Sequence, residues 1–231
     1  MSPKVLLFGA GGALGSAIAT HLAGNGCVVY TAGTTPWDGA AAHLPLSYDD
    51  PCDAASFSSL PALDAVVWAQ GLNCSDTVAR FDTSDLQRLL QGNVLFIASS
   101  LQALLSAGKL SSGNRLVVVS SIWQLESRPG KFSYTVSKAA LQGLVKASAL
   151  DLGPRGILIN AVLPGVVDTP MTRSNLSAEQ IADITSQSAL GRLPEPADIA
   201  SAVAFLVSPA NRAITGQFLT VDAGFIGLKH A

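Results

Sequence analysis

The chain has 231 residues, 48% hydrophobic and 13% charged, with a formal net charge of -2. That suffices for a full core in one domain, and so few, nearly balanced charges exclude an electrostatic nucleic-acid footprint. Cys27, Cys52 and Cys74 are scattered and odd in number, with no CxxC and no histidine cluster, so neither a disulfide framework nor a metal site is expected and a reducing compartment fits.

The opening segment, MSPKVLLFGAGGALGSAIA, imitates a signal peptide, but glycines interrupt its apolar run and a strand pattern occupies it. No apolar run approaches the ~20 residues of a membrane-spanning helix. A cytoplasmic protein with no membrane or nucleic-acid partner is expected.

Residues 5–8 read as the first strand. They lead through Gly9, Gly11, Gly12 and Gly15 into a helix over 13–24. Glycine lets a chain turn tightly and approach a pyrophosphate, whose charge then meets free N–H groups at the helix N-terminus. A tight turn that binds nothing is the alternative. Strand-like runs follow at 28–31, 65–68, 116–120, 157–162 and 217–221, and helical patterns at 85–108, 134–152 and 196–207. Residues 36–62 are weakly patterned and are expected to hold a short helix and strand. Continuous apolar strands separated by helices predict a parallel sheet covered on both faces. The fold class is therefore α/β, a single doubly wound Rossmann-type domain over 1–231.

The helix over 134–152 begins with a chemical oddity. FSYTVSKAALQGL, residues 132–144, places Tyr134 and Lys138 one turn apart on one face. A neutral tyrosine is no counter-ion, so a salt bridge does not account for the pair.

With that pair the sequence resembles the short-chain dehydrogenase/reductase family nearly end to end. The glycine loop, QGN ending at Asn93, VVVSS ending at Ser121, YTVSK, INAVLPGVVDTPM, GRLPEPADIASAVAFL and ITGQFLTVDAG stand in the family's order and at its spacings. Ala13 departs from the family's usual Gly, and Phe8 from its frequent Thr. WAQG, residues 68–71, replaces NNAG and keeps only Gly71, so Trp68 and Gln70 are expected to reshape the wall beside the adenosine ribose.

The resemblance implies hydride transfer between a nicotinamide cofactor and a carbonyl. Free tyrosine titrates near about 10, and a nearby cation favours phenolate. Tyr134 would thus give a proton to the carbonyl oxygen or take one from an alcohol. Lys138 would also bind the nicotinamide ribose. Ser121, at a strand's carboxyl end, would hold the substrate oxygen, and Asn93 would support a water chain to the lysine. Taken singly, a serine there is usually a cap and a YxxxK match is common. Further cofactor contacts are implied at Gly9, Gly11, Gly12, Leu14, Gly15, Ala69 and Gly71, and a nicotinamide clamp at Pro164, Gly165, Val167 and Thr169. His21, His43 and His230 share no spacing and offer Ser121 no base.

NAD-preferring relatives place an acid at the end of the second strand, where this chain has Ala32 and Gly33. A 2′-phosphate is then not repelled, and Thr34 and Thr35 can bond it. NADP(H) is expected over NAD(H). Residues 160–231 are most similar to 3-oxoacyl-(acyl-carrier-protein) reductases, but Lys109, Arg115 and Arg173 make only a thin basic patch for an acidic carrier. A free small-molecule ketone or secondary alcohol is expected. The acyl-carrier reductase is the alternative, and a non-catalytic dinucleotide sensor a third, disfavoured because Tyr134 and Lys138 are both kept. Residues 173–190 read as the main part of a substrate lid placed at about 170–191.

Ala139, Ala140, Leu141, Leu144, Val145, Ala147, Ala149 and Leu150 surround one helix. Leu89, Leu90, Leu95, Phe96, Ile97, Leu101, Leu104 and Leu105 surround another. Helices apolar nearly all round need burial on both sides. The two are expected to meet their symmetry mates as a four-helix interface. The resemblance adds a second interface through the C-terminal strand, giving a homotetramer, with a homodimer as the smaller alternative.

Overall fold

The computed structural model describes residues 2–50 and 52–227; His230 lies outside them. One parallel sheet organises the chain. Its strands are β1 (Lys4–Phe8), β2 (Val28–Gly33), β3 (Ala42–Pro45), β4 (Ala65–Trp68), β5 (Arg115–Val119), β6 (Leu158–Pro164) and β7 (Phe218–Val221). They lie in the order β3-β2-β1-β4-β5-β6-β7, so the direction of winding reverses between β1 and β4. Ligands bind outside the carboxyl ends of the strands at such a switch point.

Alternation along each strand divides the core. Leu6, Phe8, Val66, Trp68, Leu116, Val118 and Ile159 face one side, and Val5, Leu7, Ala65, Val67, Val117 and Val162 face the other. Because both sides are covered, the strands read as unbroken apolar runs. On the second side α1 (Ala13–Gly24) packs against α7 (Pro196–Val207). On the first, α2 (Thr83–Leu90) passes through a π turn (Gln91–Leu95) into α3 (Phe96–Ser106), beside α4 (Phe132–Leu152). The weak segment contains β3 and a short 3₁₀ turn (Ala54–Phe57), as expected.

The sequence reading of Trp68 is corrected here. Its indole does not reach the ribose wall but is fully buried in the core. It stacks on Phe8 at 5.7 Å and 4° between planes, and its N–H donates to Ser100 Oγ at 2.9 Å. Phe8 and Trp68 are register partners across β1 and β4. Two departures from the family pattern are therefore one packed aromatic pair, closed by the edges of Phe57 and Phe96.

The apolar helices also differ from expectation. The 24-residue helix Thr83–Ser106 has a window of mean hydropathy 1.4 and by length and composition alone can span a membrane, which the sequence reading excluded. Half of that window is buried within the domain. Leu89, Phe96, Ile97, Leu101 and Leu104 all enter the core, and Leu95 is left 54% exposed. In α4, Leu141 and Val145 are wholly buried, whereas Val136, Ala139, Ala140, Gly143, Ala147 and Leu150 form an exposed stripe. Much of the predicted surplus is the domain's own core; the stripe on α4 remains.

Candidate active site

The glycine loop joins β1 to α1 at the switch point. A Cβ on Gly15 would lie 2.1 Å from Gly9 O, so only glycine lets the helix start this close to the turn. Gly11 packs against the Thr35 side chain in the same way. The loop borders two cavities. The larger, about 640 Å³, includes Gly12, Leu14, Gly15, Ala69, Gly71, Ser121, Tyr134, Lys138, Pro164, Gly165, Val167 and Thr169 in its wall. The smaller, about 250 Å³, is lined by Gly9, Gly12, Ala32, Gly33, Thr34, Ala69 and Gly71 among others.

These residues fit a dinucleotide. The glycine loop cradles the helix N-terminus, and Gln70 lines both cavities with its two amide atoms buried and unpaired among the described residues. A ligand with donors and acceptors at that point would satisfy them. Gln70 thus borders the site as expected, while Trp68 does not.

Ser121 follows β5 and caps the short turn Ile122–Gln124, its Oγ accepting the Trp123 N–H at 3.3 Å. The cap and a site hydroxyl are the same group. Tyr134 and Lys138 emerge from the first turns of α4, whose N-terminus is tied to the loop after β4 by Asp76, Oδ1 accepting the Ser133 N–H at 3.0 Å. Lys138 Nζ lies 5.7 Å from the Tyr134 ring centroid and donates to Val119 O at 3.4 Å. Burial pushes the Tyr134 phenol up to about 12, with the Ser121 hydroxyl pulling the other way, and pulls the Lys138 ammonium down to about 8. At Tyr134 burial works against the phenolate that a nearby cation favours.

Asn93 sits in the π turn, 1% exposed, with its amide fully engaged. Oδ1 accepts the Leu72 N–H at 2.7 Å, while Nδ2 donates to Leu72 O and to Ser137 Oγ, each at 3.0 Å. It clamps the loop after β4 onto the turn of α4 between Tyr134 and Lys138. A local widening of the helix at a functional site is a common use of a π turn.

Gly33 has φ of +145°, a conformation side chains rarely adopt, so the position expected to carry an acid is closed to one without strain. Thr34 is the residue that reaches the smaller cavity; Thr35 stands behind it on Gly11. Thr169 lines the larger cavity and also caps α5 (Pro170–Asn175), accepting the Thr172 N–H at 3.2 Å. Met171 and Leu176 close the cavity from α5 and the turn into α6 (Ala178–Gln187). Sequence reasoning missed Trp123, Arg128 and Lys131 in the wall; the two basic residues flanking Pro129-Gly130, just before Tyr134, were the available signal.

The basic patch does not survive. Lys109 Nζ donates to Ser58 O and Leu60 O, and Arg115 Nε to Asn211 O at 2.8 Å. Both lie toward the amino ends of the strands, away from the site. Arg173 forms a forked pair with Asp168 at 2.7 and 2.6 Å.

Comparison with known proteins agrees with this geometry. The family profile described as Enoyl-(Acyl carrier protein) reductase matches residues 52–226. A short-chain dehydrogenase/reductase of Serratia marcescens superposes with a TM-score of 0.84 at 29% identity, over 96% of this chain and 97% of that one. The chain belongs to the short-chain dehydrogenase/reductase family. Other members similar to it include the uncharacterized oxidoreductase YmfI of Bacillus subtilis, 31% identical over 97% of this chain and 99% of its own. The 3-oxoacyl-(acyl-carrier-protein) reductase FabG of Escherichia coli is 30% identical over 95% of each. As a short-chain dehydrogenase/reductase, the protein is an NAD(P)-dependent oxidoreductase.

Proposed function

We propose that the protein interconverts a ketone and a secondary alcohol on a free small molecule, with Tyr134 as general acid/base. The convergence of Ser121, Tyr134 and Lys138 on one cavity with the glycine loop carries this reading. The cofactor, held by Gly12, Leu14, Gly15, Lys138 and the Pro164–Thr169 segment, supplies the hydride. Ser121 Oγ orients the substrate oxygen, and the protonated Tyr134 gives that oxygen its proton. The Lys138 ammonium stabilises the phenolate left behind, and in the reverse direction the phenolate recovers the proton. Asn93 is a positioning residue, acting through Leu72 and Ser137. The segment at about 170–191 is the lid. The Escherichia coli relative is named for substrates on an acyl carrier protein; here Lys109, Arg115 and Arg173, the thin basic patch the sequence offered such a partner, are each bonded within the chain. A ketone panel run with NADPH and NADH in parallel tests the reading.

The same panel tests cofactor choice. NADPH is preferred, because no carboxylate stands at the end of β2 and Thr34 offers a hydroxyl. Thr34→Asp should lower kcat/KM for NADPH on the order of 10-fold by like-charge repulsion, and narrow or invert the preference. A wild-type enzyme that prefers NADH would overturn this.

Self-association as a homotetramer, or a homodimer, is proposed through the exposed stripe of α4 and Leu95 beside it. Val145 is wholly buried within the chain and is no probe of an interface, so the test is Leu150, 79% exposed. Leu150→Glu should halve the mass seen by light scattering without unfolding the chain. A wild-type protein that is a stable monomer at micromolar concentration contradicts the proposal.

A further inference from the structure

Resting on the ketone–alcohol reading, we propose that the substrate carries a carboxylate, held in the same cavity by Arg128 together with Lys131. Among the described residues the wall of the large cavity includes no Asp or Glu but three cations, Lys138, Lys131 and Arg128. The mechanism uses only the first.

Lys131 is 8% exposed, and its Nζ lies 5.7 Å from the Tyr134 ring centroid, matching Lys138. It donates to Asn73 Oδ1 at 2.9 Å, Cys74 O at 3.2 Å and Ser75 Oγ at 3.4 Å, all neutral. All three hydrogen bonds go to neutral groups, and no carboxylate among the described residues touches the ammonium. The Arg128 guanidinium lies over the Trp123 ring, 5.5 Å from its centroid, and meets no acceptor among the described residues. No carboxylate among them forms an ion pair with either cation. Asp76, on the segment that bridges to Lys131, accepts from Ser133 N–H and Cys74 S–H, while Glu126 is exposed and outside the cavity wall.

Burial and then the Arg128 charge lower the Lys131 pKa, with the smaller pulls of Cys74 and Asp76 offsetting part of that, so the two cations destabilise each other where they stand. A surface arginine avoids such a neighbour by turning to solvent. The attraction of Arg128 to the Trp123 ring instead keeps this planar fork at the cavity wall, and such a fork receives a carboxylate through two parallel bonds. An anion there would neutralise both groups in a partly desolvated space, where the attraction exceeds that in water. The nearness of Lys131 to Tyr134 points to a short oxo acid.

The test uses matched pairs, 4-oxopentanoate and 5-oxohexanoate against their methyl esters, with wild type, Arg128→Met and Lys131→Met. At least one acid should exceed its ester in kcat/KM by about 10-fold or more, and Arg128→Met should erase that ratio mainly through KM. Added salt should weaken the acid selectively. Esters reduced as well as or better than their acids would overturn the proposal while leaving the ketone reading intact, as would an Arg128→Met enzyme that loses both equally. Calorimetric titration of 5-oxohexanoate into the cofactor-loaded Tyr134→Phe enzyme, with and without Arg128→Met, decides the matter independently of turnover. Binding that Arg128→Met weakens about 10-fold supports the site even if no acid is reduced, and the fault then lies with the reaction. Binding that is absent or indifferent to Arg128 sinks it.

Discussion

Tyr134→Phe should lower kcat by about 100-fold to 10,000-fold, the range supplied by a positioned proton donor, while the Kd for NADPH changes little. The substitution keeps the ring that Lys131 and Lys138 both approach and removes only the hydroxyl. Burial raises the Tyr134 pKa, which favours the protonated phenol over the phenolate in the resting site. Phenylalanine leaves the substrate oxygen to Ser121 and water. An enzyme that keeps most of its kcat would remove Tyr134 from the chemistry, and one that loses NADPH affinity equally would make it a binding residue.

Lys138→Met should do two opposite things, weakening turnover and cofactor affinity while raising the melting temperature at pH 7. Lys138 is 3% exposed and forms no ion pair among the described residues. Burial lowers its pKa from 10.5 to about 8. Below pH 8 the folded and unfolded chains both carry the proton, and the fold bears the full penalty of burying it. As pH rises through 8 the folded chain sheds the proton first, so wild-type stability gains until about 10.5, where the unfolded chain follows. At about 1.4 kcal/mol per pH unit the penalty has an upper bound of about 3.5 kcal/mol. At about 2–4 °C per kcal/mol, methionine should melt several degrees higher at pH 7, with the difference shrinking toward pH 10. A variant that melts lower at pH 7 would make the ammonium a structural support rather than a charge kept for function.

The sheet was legible because parallel strands covered on both sides leave unbroken apolar runs, and α1 and α7 because their periodic stretches end at glycine or open on proline. β3 was not, since it is a four-residue edge strand, half exposed and ending in Pro45. The helices α5 and α6 of the proposed lid are short and exposed, so they lack a core-facing stripe to read. Trp68 was misplaced for want of a parity argument: Val66 and Trp68 share one side of β4, and Ala65 and Val67 the other. Counting apolar residues around α3 overstated its free surface, because a helix wedged between a sheet and a neighbouring helix buries more than one stripe. The proposed catalytic positions were legible from spacing. What spacing does not carry is the balance of burial against charge at Tyr134, or that Arg173 meets Asp168 across a turn.

The most direct measurement is NADPH oxidation by wild type and Tyr134→Phe across a broad panel of ketones, with the alcohol product quantified and NADH run in parallel. At least one ketone should be reduced by wild type with one alcohol formed per NADPH consumed, at a rate Tyr134→Phe does not approach. Tight cofactor binding with no turnover of any ketone, or equal turnover by both proteins, would contradict it.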